Sequence, residues 1–376
     1  MKQNPFKYGE LSTGDNFCNR QAEIKRLHNA FRDGQSIVLI SPRRWGKSSL
    51  VDRALDTYKR KVIAVKMDCF GFKSSGEFFA ALLKTILTNT SSKLQQVAET
   101  VKENIRSFIP YINYSVGEAD EIKITLELPK TKMDVAVILD LPQKIAAKRR
   151  LRIVVCIDEF QQIAQWPDGQ QVLESMRKAW QKHKEVSYCL YGSKRHLMSQ
   201  LFTDKSQPFF NFGETIFLPK IERGQWIQFL LRSFRSSGVK IDKEVAARLT
   251  DLVDCHSYFI QYLARICWNN AGKELTMKIL DQSYEEMLND NVALFQSITR
   301  GLTQYQVNYL RAVVAGETQL TSTRVLSEYN LGSPGNIQRI AAVMEDAEIL
   351  DYSGEVPVFC DPYFRPLFER YFANSK

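Results

Sequence analysis

No uninterrupted apolar run in this chain approaches the ~18 residues that a membrane-crossing helix needs. The opening residues, Met1 to Pro5, also lack the apolar stretch of a secretory leader. The expectation is a cytoplasmic protein without a membrane partner. Cys-x-x-Cys pairs are missing as well. The seven cysteines, Cys18, Cys69, Cys156, Cys189, Cys255, Cys267 and Cys360, are odd in number and scattered, and several sit in apolar runs. That pattern argues against a disulfide framework or a zinc site and for reduced core thiols. Internal repeats and low-complexity tracts are absent too, which excludes solenoids and disordered linkers as the main architecture.

What remains is ordinary globular composition, 44% hydrophobic and 25% charged, over 376 residues. Such a length is too great for one compact core and implies two to three domains. The net charge of +9 is unevenly placed. Residues 296–376 hold seven Lys/Arg against nine Asp/Glu, a net of −2, so the other 295 residues carry +11.

Hydrophobic patterning alternates strands with helices. An apolar run, Ser36 to Ile40, leads through a loop into Lys47 to Leu55, whose apolar positions recur at helical spacing. A second strand, Val62 to Met67, precedes a helix over Glu77 to Thr88. Three more strands follow at Arg152 to Ile157, Val186 to Tyr191 and Thr215 to Leu218. The third of the five is continuous rather than alternating, as in a strand covered on both faces. The class is therefore α/β with a parallel sheet.

Between the second and third strands, Tyr111 to Val116 and Ile122 to Leu128 read as an inserted β-hairpin, within an insertion of about 95–135. From Glu222 to about Leu294 strand signals vanish, and helices are expected at Gly224–Ser236, Lys243–Asp254, Tyr258–Asn270 and Thr276–Phe295. The last 80 residues read helix (Thr303–Ala315), helix (Thr321–Tyr329), turn, helix (Ser333–Glu345) and a strand pair around Ser353–Gly354. That order suggests a winged helix-turn-helix. The expected division is a P-loop core over 1–220, a helical lid over 221–295 and a winged helix-turn-helix over 296–376.

The chemistry concentrates after the first strand. Ser41, Pro42, Arg43, Arg44, Trp45, Gly46, Lys47 and Ser48 satisfy the P-loop pattern except at its first glycine, where Ser41 stands. Gly46 would let the backbone approach phosphate, while successive amides, including that of Ser49, and the following helix N-terminus would cradle it. Lys47 would reach the β and γ phosphates, and Ser48 would ligate Mg²⁺. Asp158 and Glu159, closing the third strand, supply what a hydrolytic site still lacks. Asp158 would hold the metal shell and Glu159 would polarise the attacking water. Together these residues predict an ATP hydrolase using ATP and Mg²⁺, of the class with an extra strand between the two motifs.

These residues resemble the archaeal-type ATPase family, a STAND branch of the AAA+-like P-loop ATPases. The resemblance covers nearly the whole chain. It rests on Phe17, Asn19, Arg20, Glu23 and Leu27, on the double-arginine P-loop, and on Ile157 to Phe160. Tyr191 to Ser193 with Met198 and Phe202, His256 to Leu263, and Asp361 to Phe364 complete it. The resemblance implies ATP binding between sheet and lid, with Arg20 near the adenine, Ser193 sensing the γ-phosphate and His256 reaching the nucleotide from the lid.

Three departures stand out. The family's arginine before the fifth strand is absent from Pro208 to Gly213, which leaves Lys194, Arg195 or Arg223 to substitute. Ser257 replaces a lid proline, and Ser41 replaces the loop glycine. Slow turnover, with nucleotide serving as a switch for a protein partner, is the expectation. DNA is the alternative partner. Ser333 as N-cap and Pro334 at the first position open a helix on which Asn336, Gln338 and Arg339 could read bases, but the charge of 296–376 does not favour it. Basic density lies instead at Lys144–Arg152 and Arg177–Lys184, which read as solvated helical faces unless they converge on one surface. ATPase rings complete their sites with a neighbour's arginine, so an oligomer stays open.

Overall fold

The computed structural model describes residues 3–58, 62–90, 112–116, 122–126 and 132–372. They divide into two compact units. One comprises 20–43 and 47–219, the other 1–19, 44–46 and 220–376.

The first of these contains a five-stranded parallel sheet. Its strands are β1 (Ile37–Ile40), β2 (Val62–Asp68), β5 (Arg152–Asp158), β6 (Val186–Gly192) and β7 (Glu214–Phe217), in the spatial order β2-β5-β6-β1-β7. As expected, one strand, β6, separates the P-loop strand from the acidic one. Every residue of β1 and β6, and Ile153 to Ile157 of β5, is buried. This is why those segments read as unbroken apolar runs. Among the described residues, six helices accompany the sheet: α1 (Gln21–Asp33), α2 (Lys47–Thr57), α3 (Ser75–Thr90), α4 (Lys132–Arg149), α5 (Gly169–Trp180) and α6 (Arg195–Thr203). The core includes a stack of Trp180 on Tyr188 with ring centroids 4.1 Å apart. Burying each such ring contributes roughly 1.5–3 kcal/mol.

The inserted hairpin is present as β3 (Ile112–Val116) paired antiparallel with β4 (Ile122–Leu126). Its turn and most of the rest of 95–135 lie outside the described residues.

In the other unit, α7 (Arg223–Ser236), α8 (Lys243–Leu252) and α9 (Ser257–Asn270) lie where the helical spacing put them. Two differences appear. The single helix expected over Thr276–Phe295 is two, α10 (Met277–Asp290) and α11 (Val292–Arg300). The break falls at Asn291, whose side chain bonds back to the Met287 carbonyl at 2.7 Å while its own carbonyl starts the next helix. This stretch also contains strands, a two-residue parallel pair of β8 (Lys240–Ile241) and β9 (Glu274–Leu275) too short to leave a periodic signature.

The C-terminal segment runs α12 (Gln304–Val314), α13 (Thr323–Glu328), α14 (Pro334–Asp346), an antiparallel pair β10 (Leu350–Asp351) and β11 (Val358–Phe359), and α15 (Phe364–Phe372). This is the three-helix-then-hairpin order anticipated for a winged helix-turn-helix, with one further helix. Ser333 caps α14 by accepting from the Asn336 amide, and Pro334 opens it, as the sequence implied. One contiguous apolar core, including Trp226, Phe234, Tyr309 and Phe364, runs through α7 to α15.

Candidate functional site

Parallel strands deliver all their C-terminal ends to one edge of the sheet. Register sets the rest. Ile40 stands opposite Gly192, Ile157 opposite Leu190, and Asp68 opposite Asp158. Ser41, Asp158 and Ser193 therefore emerge side by side although they are far apart in sequence.

The loop after β1 has the backbone its residues demand. Gly46 has φ +91°, a conformation that L side chains rarely adopt. Arg44 also has positive φ, 62°. Lys47 is buried, and its ammonium donates to the carbonyls of Ser41 and Pro42 at 2.9 Å each and to Ser41 Oγ at 3.5 Å. Ser49 is buried in the first turn of α2.

Beside it, Ser48 Oγ donates to Asp158 Oδ2 at 2.6 Å, and Asp158 Oδ1 accepts from the Glu159 amide at 2.9 Å. Burial raises the Asp158 carboxyl from its ordinary 3.8 to about 6, with Glu159 adding to the rise while Ser48 and Lys47 oppose it. Glu159 sits in the left-handed region at φ 49°, ending the strand and starting the 3₁₀ turn Phe160–Gln165. Its Oε2 accepts from Ser193 Oγ at 3.0 Å and from Gln161 Nε2 at 2.5 Å. Arg43 Nε in turn donates to Ser193 Oγ at 3.3 Å. Ser193 is thus turned to Glu159, and no side-chain cap bond is made at the start of α6.

Gln161 escaped the sequence reading. It is fully buried, and its Oε1 has no hydrogen-bond partner. A Cβ on Gly192 would lie 1.9 Å from that oxygen, so the glycine is what admits the amide. The available signal was a glutamine wedged between Phe160 and Ile163 two positions after the acidic pair.

The remaining candidates lie elsewhere. Arg20, buried at φ 70°, pairs with Glu23 at 3.1 Å. Arg44, Trp45, Gly46 and His256 belong to the other unit. There the Arg44 guanidinium lies 4.7 Å from the Tyr258 ring centroid and 3.7 Å from Asp361 Oδ2, and the Lys220 ammonium lies 5.7 Å from the Trp45 ring. His256 stands at the N-cap of α9, almost wholly buried, with Nδ1 lacking a hydrogen-bond partner. Burial first, then the charges of Lys220 and Arg44, drive its imidazole down to about 3, so it is neutral. Of the cations considered as replacements for the missing arginine, Arg223 is engaged by Asp251 through bonds of 2.6 and 2.7 Å. Arg43 is joined to the Glu159–Ser193 pair through Ser193 Oγ.

Among the described residues, no helix is long and apolar enough to cross a membrane, and no group of three or more His, Cys, Asp or Glu could enclose a metal ion.

Neither a family model nor a curated protein matches this chain. Solved structures do. A Walker-type ATPase of Pyrococcus abyssi is similar with a TM-score of 0.67 at 15% identity, over 97% of this chain and 99% of that one. The ORC2 protein of Aeropyrum pernix, solved in ADPNP–ADP complexes, reaches 0.61 at 12% identity over 98% and 96%. The ORC1 protein of the same organism, solved in complex with DNA, reaches 0.50 at 13% identity over 95% and 94%. The chain has the P-loop NTPase fold, and at these identities the likeness speaks for the fold alone.

Proposed function

We propose that this chain binds ATP with Mg²⁺ and hydrolyses it slowly, as a nucleotide-controlled switch of the archaeal-type ATPase kind. The observation that carries the reading is the meeting of Ser48 with Asp158 at 2.6 Å, next to a Glu159 already bonded to Ser193. A hydroxyl and a carboxylate in contact, with a second carboxylate adjacent and no enclosing cage among the described residues, suit an ion that keeps several waters and takes its other ligands from substrate phosphates. Ser48 and Asp158 would hold Mg²⁺, which when bound neutralises phosphate charge.

The chain's own residues do the rest. Lys47 exchanges the neutral carbonyls of Ser41 and Pro42 for phosphate oxygens, a stronger pairing. Backbone amides over Arg43 to Ser49 cradle the anion at the start of α2. Glu159 accepts a proton from the attacking water. Its Oε2 accepts from Ser193 and Gln161, which hold the carboxylate in place while its other acceptor sites can take the proton. Arg43 adds positive charge beside Ser193, where the γ-phosphate would be sensed. Arg20 and His256 are proposed as nucleotide contacts from the opening segment and the lid, His256 through its unsatisfied Nδ1.

The switch reading is supported by Arg44. This P-loop residue is held by Tyr258 of the lid and Asp361 of the C-terminal segment, so a change at the loop reaches both. The partner is then a protein docking on those segments.

The test is phosphate release with Glu159→Gln and Lys47→Ala. The first variant keeps ATP binding and loses hydrolysis by about 10²-fold or more; the second loses binding. Release unchanged in Glu159→Gln overturns the assignment.

A further inference from the structure

The phosphate loop carries two neighbouring arginines, and the structure gives them different partners. Arg44, in the left-handed region at φ 62°, turns its guanidinium to the Tyr258 ring and to Asp361 Oδ2. Arg43 turns to the end of β6 instead. Its Nε donates to Ser193 Oγ at 3.3 Å, and Ser193 Oγ donates to Glu159 Oε2 at 3.0 Å. One hydroxyl thus stands between this cation and the carboxylate that takes the water proton in the reading above. Arg43 is exposed, whereas Lys47 and Ser193 are buried, so its long side chain can swing without unpacking the core. The bond to Ser193 uses Nε, and the planar fork of Nη1 and Nη2, with most of the guanidinium's donors, is not part of it.

In hydrolysis the water oxygen bonds to the γ-phosphorus while the bond from that phosphorus to the bridging oxygen breaks. ADP leaves with the electron pair, and Glu159 takes the water proton. Charge is then spread over the γ-phosphoryl oxygens and the leaving oxygen. Lys47 meets phosphate as soon as the nucleotide is bound, so it aids binding as well as reaction. A cation that meets the γ-phosphoryl oxygens chiefly in the transition state acts on the rate itself. Arg43 has the position for that part, because a guanidinium released from Ser193 Oγ is already on the side of the attacking water. Arg43, Lys47, Ser48, Asp158, Glu159 and Ser193 all belong to one compact unit of one chain.

Resting on the ATP reading above, we propose that Arg43 is a catalytic residue supplied in cis. Its guanidinium leaves Ser193 Oγ for the γ-phosphoryl oxygens, and one copy of the chain completes the site without an arginine from a second copy. A guanidinium placed in this way contributes about 10³-fold or more to turnover.

The experiment compares the full wild-type chain with Arg43→Ala, Ser193→Ala and the double variant, in ATP hydrolysis and in binding of ADP with aluminium fluoride. Arg43→Ala should lower kcat about 10³-fold with KM little changed. It should keep its affinity for ADP, which shows the site is folded, yet lose the tighter binding of ADP with aluminium fluoride, which imitates the phosphoryl group in transfer. An equal loss of ADP affinity makes Arg43 a binding cation and overturns the assignment. In the Ser193→Ala background the Arg43→Ala loss should persist; a loss that vanishes there means that Arg43 acts only through Ser193, which also overturns it. Turnover per chain should stay constant across a hundredfold dilution, and mixing Arg43→Ala with Glu159→Gln should restore nothing. Turnover that rises with concentration, or activity recovered in the mixture, puts the arginine in a second copy and refutes the cis arrangement. A wild type that neither binds nor hydrolyses ATP removes the nucleotide reading and this inference together, whereas equal hydrolysis by wild type and Arg43→Ala removes this inference alone.

Discussion

Asp158→Asn should stabilise the nucleotide-free protein while destroying its metal-dependent activity. The wild-type carboxyl is largely removed from water, sits beside Glu159 and titrates at about 6 instead of the ordinary 3.8. With each tenfold worth about 1.4 kcal/mol, that difference corresponds to about 3 kcal/mol. The folded chain holds the extra proton between pH 3.8 and 6, so the stability linked to this group is greatest below about pH 4 and falls as pH rises through 6. Asparagine fits the same contacts. Its oxygen can accept from the Glu159 amide, and its NH₂ can donate to Ser48 Oγ, which now accepts. Urea unfolding followed by tryptophan fluorescence, in chelator and without nucleotide, measures the difference directly. The variant should match the wild type near pH 4 and exceed it by up to about 3 kcal/mol at pH 8. Adding Mg²⁺ and ATP should stabilise only the wild type, since only that chain retains both proposed metal ligands. A variant less stable than wild type at pH 8, or a difference that does not change with pH, would refute the account of Asp158 as a carboxylate kept at a disadvantage for its ion.

Other consequences can be measured alongside it. The neutral, buried His256 titrates at about 3 against 6.5 when unfolded, so its contribution is complete above pH 6.5 and is lost as pH falls toward 3. His256→Asn should flatten the acid limb of the thermal midpoint, and an unaltered limb would count against the burial argument. Gly192→Ala forces a Cβ to within 1.9 Å of Gln161 Oε1 and 2.9 Å of Met198 Sδ. It should cost about 1–3 kcal/mol of stability and reduce hydrolysis more than ATP affinity, because Gln161 holds Glu159; equal loss of both would detach Gln161 from the chemistry. Arg44 and Asp361 are both partly solvated, so their pair contributes at most about 1 kcal/mol. Asp361→Asn should scarcely move the midpoint yet weaken any ATP-dependent protection of residues 220–376 from trypsin, and an identical cleavage pattern would remove Arg44 from the switch.

Contiguous residues carried most of what could be read beforehand. The apolar runs of β1, β5 and β6 announced strands, and the unbroken one of β5 a strand buried on both faces, while Gly46, Lys47 and Ser48 between a strand and a helix announced an anion cradle. Ser333 with Pro334 announced the start of α14. Each signal is local, a matter of periodicity, backbone freedom or capping within a few positions. The break at Asn291 and the two-residue pairing of β8 with β9 were not legible. One depends on a side chain satisfying the carbonyl of Met287, the other on backbone partners more than thirty residues apart.

Only the tertiary structure decided which distant groups meet. Inserting β6 between β1 and β5 brings Ser193 to Glu159 and Asp158 to Ser48, and no spacing along the chain specifies that order. The burial that raises Asp158 and leaves Gln161 Oε1 without a partner likewise comes from neighbours contributed by other strands. The basic runs are the clearest case. In sequence they read as two separate solvated helical faces; in the structure Gln143 accepts from the Lys184 and Glu185 amides and Arg152 donates to the Lys184 carbonyl, which brings the two segments into contact. Local preference settles what each segment becomes, while the free energy of packing the sheet settles what each segment faces.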